Sequence, residues 1–414
     1  MTLKPIYFLT LISLTASQDL TNYEGYKVYQ VVPETLDQAS LINKFQYDIN
    51  FDFWTEIRLL NAPVDVMVAP LAQESFEAVL NTENIEYSTL IENVEETLQK
   101  RNRRRKRATV EAGNVTFTEF MRHQEILAYI HQVAADHADV ASTEVIGKSF
   151  EGRDLTIIKI STGGSDKPII YIEAAIHARE WISPPVALYI INQLVENPEN
   201  SDMYQDVDWV ILPVVNPDGY EYTHTDVRLW RKTRTPGTIC YGVDANRNFD
   251  YQWMVTGASN WQCSETYAGH VAFSEVETRT VRDYLLANTP NVKLFLDLHS
   301  YGQWLLYPWA YTSDLVENIE ELHSLGDRVN DAIYAVRGTN YTVGSSNAIL
   351  YASSGGSRDW TKAVAGIDLG YTVELPRGGD SGFDPDASDI LPVVTETWEG
   401  VKVFYEYVRD KYVN

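Results

Sequence analysis

Residues 101–107 read Arg-Asn-Arg-Arg-Arg-Lys-Arg. Like charges at this density repel one another and cannot be packed into a core, so the chain is not expected to fold through this stretch as one unit. The block predicts an exposed, flexible linker with a folded unit on each side. A solvated hinge would satisfy the same composition. Exposed linkers are also where proteases nick, and here the block offers a processing site ending at Arg107. The chain has 414 residues, enough for two or three domains.

The N-terminus carries Lys4, a short apolar run from Ile6 to Leu14, and then the small residues Thr15, Ala16 and Ser17. That order reads as a signal peptide over 1–17, the alternative being a buried strand. No other stretch approaches the length of about 18 apolar residues that would cross a bilayer, so a secreted protein without a membrane anchor is expected. The formal net charge of −25 speaks against a nucleic-acid partner, which calls for a basic surface. The two cysteines, Cys240 and Cys263, would pair in an oxidising compartment and stay free in a reducing one; the leader favours the disulfide. Asn114-Val115-Thr116 and Asn340-Tyr341-Thr342 are glycosylation acceptor patterns, which arise often by chance.

Between leader and basic block, Tyr26–Val32 and Val64–Val68 alternate like strands, Leu36–Phe45, Phe76–Leu80 and Val94–Leu98 have helical spacing, and Ile85–Ser88 is extended. This order predicts a small ferredoxin-like α+β unit over 18–107. It contains no cluster of ligands or nucleophiles, so its role must lie in what it covers. In residues 108–414, Pro168–Ile172 is a near-continuous apolar run, with similar runs at Val207–Val215 and Val292–Leu298. Such runs fit strands buried on both faces. With the helical stretch Val186–Val195 between them, they predict an α/β fold: a mixed, largely parallel twisted sheet with helices on both faces. In such sheets ligands sit beyond the carboxyl ends of the strands.

Two of these strand ends carry chemistry. One runs into His177-Ala178-Arg179-Glu180-Trp181, and another ends in Leu298-His299-Ser300. On a helical turn, His177 and Glu180 would share one side. Two imidazoles and a carboxylate form a zinc set with the fourth position left for water. Alone, His-x-x-Glu occurs in many helices, and a single strand-end histidine is as readily a hydrogen-bonded structural residue. Glu374 closes the buried run Leu369–Val373, and a carboxylate there needs a role or a partner.

Taken in order, His177-Ala178-Arg179-Glu180-Trp181, Trp230-Arg231-Lys232, Asp244-Ala245-Asn246-Arg247-Asn248, Leu298-His299-Ser300-Tyr301, Gly355-Gly356-Ser357 and Thr372-Val373-Glu374-Leu375 resemble the A/B type of the zinc metallocarboxypeptidase family. The resemblance covers residues 108–414, and the unit before them resembles that family's activation segment. It implies one zinc ion held by His177, Glu180 and His299, Glu374 as general base, and Arg231 steadying the oxyanion. It implies Arg247, assisted by Asn246, as the clamp on a substrate's C-terminal carboxylate, a task that suits arginine's planar fork. Tyr351 would close over the bound end. Arg179, Arg228 and Phe383 would line the route of the remaining peptide. Asp244 would orient His177, on a loop pinned by Cys240–Cys263. The partners implied are peptides with a free C-terminus, the chain's own propeptide as inhibitor, and an activating protease of trypsin-like or convertase type. A monomer is expected.

The family's specificity residue lies seven positions after the mobile tyrosine, which is Arg358 here. Apolar residues there go with apolar substrates, and Asp goes with basic ones. A cation, with the small residues Ala310, Ser346 and Ser353 around it, predicts a C-terminal glutamate or aspartate as substrate. The competing expectations are a broad or apolar-preferring carboxypeptidase with Arg358 turned away, and a relative that binds peptide ends without cutting. Possession of both histidines, Arg231 and both glutamates argues against the last.

Overall fold

The computed structural model describes residues 22–55, 57, 60–104, 113–378 and 382–413, with residues 100–104 described in backbone only. The expected leader, residues 1–17, and the expected cut at Arg107 lie outside these. The N-terminal unit comprises β1 (Lys27–Val32), α1 (Leu36–Asn43), β2 (Phe51–Phe53), β3 (Val64–Val68), α2 (Pro70–Thr82), β4 (Glu86–Ile91) and α3 (Val94–Arg104). Its sheet has the order β2-β3-β1-β4 with every neighbour antiparallel. That is the ferredoxin-like arrangement its alternating strands and helices predict. Thr35 caps α1 through a reciprocal bond with Gln38, which fixes where the first helix starts.

Strand alternation gives this sheet two apolar faces. Tyr29, Val31, Val64, Val66 and Val68 pack with Phe76 and Leu80 of α2. Val28, Met67 and Ile91 point the other way, joining Val94 and Leu98 of α3 and, from the second unit, Leu229, Tyr301 and Phe383. The second face is therefore covered by the other half of the chain. One expectation is corrected here. α3 continues through Arg104, so the first part of the basic block is helical rather than a flexible linker. Glu95 and Glu96 in its first turn suit the helix dipole.

The second unit comprises α4 (His123–Asp136), β5 (Ala141–Lys148), β6 (Asp154–Ile160), β7 (Ile169–Ala174), α5 (Ser183–Val195), β8 (Asp208–Leu212), α6 (Pro217–Thr225), α7 (Val276–Asn288), β9 (Val292–Ser300), β10 (Trp304–Tyr307), α8 (Ile319–Arg337), β11 (Thr342–Ser345), α9 (Ser346–Ile349), α10 (Ser357–Ala363), β12 (Leu369–Leu375) and α11 (Ile390–Tyr412). The sheet order is β11-β10-β12-β9-β7-β8-β6-β5. The central strands β12, β9, β7 and β8 are parallel; β10 and β6 join them antiparallel. Ile170, Ile172, Leu294, Leu296 and Leu298 face a core shared with α4, α5, α8 and α11. Tyr171, Phe295, Val210 and Leu212 face a second core with Val281 and Leu285 of α7 and Trp360 of α10. Two covered faces explain why these strands read as unbroken apolar runs. Among the described residues, no helix is long and apolar enough to cross a membrane.

Candidate active site

The parallel strands β7, β9 and β12 end side by side, and their register sets the site. Glu374 on β12 pairs with His299 on β9. Two residues earlier, Glu173, Asp297 and Thr372 stand in line across the three strands. Side chains two apart on a strand share a face, so His299 and Glu374 sit directly above Asp297 and Thr372. From β7 the chain leaves through Ala175 at φ +53°, a left-handed conformation that costs a non-glycine residue of order 1 kcal/mol or more. This bend swings residues 176–182 over the sheet end. His177 and Glu180 share a side as expected, but in a turn closed by the Glu180 N–H on the His177 carbonyl at 3.3 Å, not in a helix; α5 begins only at Ser183.

One ligand atom from each of His177, Glu180 and His299 lies within 4.8 Å of the others, and all three residues are buried. Glu180 bridges the imidazoles: Oε1 is 2.8 Å from His177 Nδ1 and Oε2 is 2.9 Å from His299 Nδ1. Burial opposes its charge, yet the two histidines hold the Glu180 carboxyl well below the usual range. Both Nδ1 atoms thus converge, and both Nε2 atoms face away. Behind His177, Asp244 Oδ1 accepts from Nε2 at 3.0 Å, the orienting contact the sequence predicts. Asp244 is wholly buried; burial opposes its charge, but Arg231, His177 and Arg247 hold it well below the ordinary carboxylate range. Behind His299, Asp297 Oδ2 lies 2.9 Å from Nε2. Sequence reading missed Asp297, although its place two residues before His299 on a strand puts it on the same face.

A cleft opens above these groups. It is lined by His177, Arg179, Glu180, Arg231, Asn246, Arg247, His299, Tyr301, Tyr351, Arg358, Glu374 and Phe383. Arg231 donates from Nε and Nη2 to Asp244. Arg247 is held by Gly257 O at 2.8 Å and its own neighbour's carbonyl, Asn246 O, at 3.0 Å, and it donates to the Tyr351 hydroxyl. Gly257 at φ +58° has no room for a Cβ, which would sit 2.1 Å from Ala352 O; glycine here lets the loop carry its carbonyl to Arg247. Asn246 Oδ1 accepts from Ser357 N at 2.9 Å. The Cys240–Cys263 disulfide is present, with Cα atoms 5.1 Å apart, flanking the loop of Asp244, Asn246 and Arg247.

Arg228 is not among the residues lining this cleft but touches two that are. Its guanidinium is taken up by Asp384 at 3.0 Å and by the carbonyls of Arg179 and Phe383, so it props those two residues from behind. Ala310 likewise lies outside the lining, its N–H held by Asp359.

The N-terminal unit closes the cleft from above. Phe51, Asp52, Phe53 and Trp54 contribute to the lining. Asp52 Oδ2 accepts from Arg179 Nη1 at 2.7 Å, Trp54 packs on Phe383 with ring centroids 5.8 Å apart, and Tyr301 donates to Asp65 at 2.9 Å. No feature of residues 22–104 read alone pointed to these contacts.

Residues 126–400 match the family described as zinc carboxypeptidase, and residues 29–101 match carboxypeptidase activation peptide. The chain belongs to the zinc carboxypeptidase family. It is 45% identical over 300 residues to carboxypeptidase B of Astacus astacus, covering 72% of this chain and 99% of that protein. It is 36% identical over 417 residues to carboxypeptidase B of Rattus norvegicus, covering 98% and 99%. The solved structure of carboxypeptidase A from Helicoverpa armigera superposes with a TM-score of 0.89 at 34% identity, covering 95% and 99%. This zinc carboxypeptidase is therefore a metallocarboxypeptidase hydrolase carrying an activation-peptide domain. The buried His-Glu-His set, with both Nδ1 atoms converging and a carboxylate behind each imidazole, fits zinc by donor chemistry. Zinc bound there would polarise the scissile carbonyl and acidify a water.

Proposed function

We propose that the chain is a secreted zymogen whose processed form, residues 108–414, releases single residues from peptide C-termini, with preference for glutamate and then aspartate. In this reading residues 1–17 are a leader, and a trypsin-like or convertase protease separates 18–107 at Arg107. His177, Glu180 and His299 hold the metal. Glu374 takes the proton of the attacking water and returns it to the leaving amine. Arg231 hydrogen-bonds the developing oxyanion. Arg247 and Asn246 hold the terminal carboxylate, and Tyr351, now on Arg247, gives way to it. Arg179 and Phe383 contact the preceding residues, and Arg228 acts only by supporting them.

The acidic preference is carried by Arg358. It is 7% exposed yet lines the cleft. Its Nη1 donates to Thr372 Oγ1 at 2.5 Å, and its Nε has no hydrogen-bond partner. The nearest internal acid is committed elsewhere: Asp359 accepts the N–H groups of Ala310 and Tyr311 and lies 3.9 Å from Arg358 Nε. Burial pushes the guanidinium pKa down by more than the fields of Asp359, Asp297 and Glu374 restore it, so the cation is only partly compensated. An incoming carboxylate supplies that compensation as a charge-assisted pair, whereas an apolar side chain leaves the cation buried and unmatched.

The competing reading, an apolar-preferring enzyme, draws on Leu306 and Leu350 in the same lining. kcat/KM for peptides ending in Glu, Asp, Phe, Leu and Lys separates the two. Glutamate is expected to lead, and Arg358→Ile to reverse the order towards Phe and Leu. A parent enzyme that favours Phe or Leu over Glu refutes the acidic reading and leaves the carboxypeptidase assignment intact.

A further inference from the structure

We propose that Asp297 is a positioning residue of the metal centre, holding His299 by its Nε2 while tying it to the helix that carries Arg358. The inference rests on the reading of His299 as a zinc ligand. Asp297 is fully buried, so its carboxylate was taken out of water at a cost that needs an offset. Two hydrogen bonds on Oδ2 provide it: His299 Nε2 at 2.9 Å and Ser357 Oγ at 2.9 Å. Oδ1 has no hydrogen-bond partner. Ser357 opens α10, whose next residue is Arg358. The same carboxylate thus touches the back of a ligand histidine and the start of the helix bearing the pocket cation. In the row across the sheet, Asp297 stands beside Thr372, the hydroxyl that receives Arg358.

The tautomer follows from the geometry. A neutral imidazole that offers Nδ1 to a metal carries its proton on Nε2 and must donate it. Asn246 Nδ2 is 3.2 Å from that nitrogen, but an amide N–H₂ is a donor and cannot take the proton. Asp297 is the acceptor within reach. It does for His299 what Asp244 does for His177, so each ligand imidazole is aimed by its own buried carboxylate. Partners of this kind fix ring orientation, raise ligand basicity, and typically carry about 10- to 100-fold of metal affinity. The arrangement also explains why an acid is tolerated one layer beneath the metal ligands: it answers Nε2–H on one side and lies in the field of Arg358 on the other.

The test follows zinc transfer from the full-length chain to a chromogenic chelator, for the parent, Asp297→Asn and His299→Ala. It is run well below the melting midpoints, which are measured on the zinc-free proteins. Asp297→Asn keeps the volume and removes the charge; it is expected to weaken zinc binding about 10- to 100-fold with the zinc-free midpoint near the parent's. If that variant does not accumulate folded, Asp297→Ser is read in the same assay. Zinc affinity within about three-fold of the parent overturns the proposal, whether the midpoint falls or only the Glu-to-Phe preference shifts, since Asp297 would then serve the fold or the pocket alone. Full zinc retention by His299→Ala would instead remove the ligand reading itself.

Discussion

Glu374 illustrates how much a single register pair decides. Its strand places it opposite His299, so its carboxylate stands on the face of the metal ligands rather than in either apolar core. Glu374→Gln preserves shape and loses proton acceptance, and kcat is expected to fall about 10²- to 10⁴-fold. Calorimetric binding of a peptide with a free C-terminus should persist, because Arg247 and Asn246 are untouched. Turnover within a few-fold of the parent would assign the base elsewhere. Arg228 is the converse case. Its position in the chain suggests a groove residue, but its fork is spent on Asp384 and two carbonyls, a fact no local pattern encodes.

At the scale of elements, α7 carries a charge that folding buries away from the site. Glu277 accepts from Phe150 N at 3.1 Å, while its other oxygen is buried without a partner. Burial pushes its pKa up from 4.5 to about 7. Because the folded value exceeds the unfolded one, folding takes up a proton between these pH values. The stability this contributes is fully present below about pH 4.5, is lost as pH rises through about 7, and then stays constant. The shift corresponds to on the order of 3 kcal/mol. Glu277→Gln, which mimics the protonated form, is expected to raise Tm at pH 8 by several degrees and to change it little at pH 4. Equal changes at both pH values would refute the assignment.

The whole molecule is organised by one half sitting on the other. The second face of the N-terminal sheet is apolar and is covered by Leu229, Tyr301 and Phe383, the last two of which also line the cleft. Within this contact, Asp52 meets Arg179, which is 1% exposed. Arg179 is buried and Asp52 half-buried, so removing the carboxylate is expected to cost about 2 kcal/mol, the low end of the range for buried charge pairs. In protein cut at the basic block, the retained propeptide should therefore dissociate on dilution at concentrations more than about 10-fold higher for Asp52→Ala than for the parent. Activity against a long peptide as a function of dilution measures this. Unchanged dilution curves would mean that the apolar face alone holds the propeptide.

The amino-acid sequence by itself determined the elements and the inventory. Unbroken apolar runs imply doubly covered strands, alternation implies the small first unit, and the ordered motifs identify both the family and the His-Glu-His set. These signals are local, carried by spacing along the chain. What the sequence left open arises from residues far apart: that Ser357 reaches Asp297 from 60 positions away, that Asp359 is spent on the backbone N–H groups of Ala310 and Tyr311 while Arg358 Nε is left without a hydrogen bond, and that Asp52 answers Arg179 across 127 positions. A buried charge is settled by whichever partners the tertiary packing brings within about 3 Å, and that proximity is decided by strand register and domain docking, neither of which any short stretch of sequence specifies.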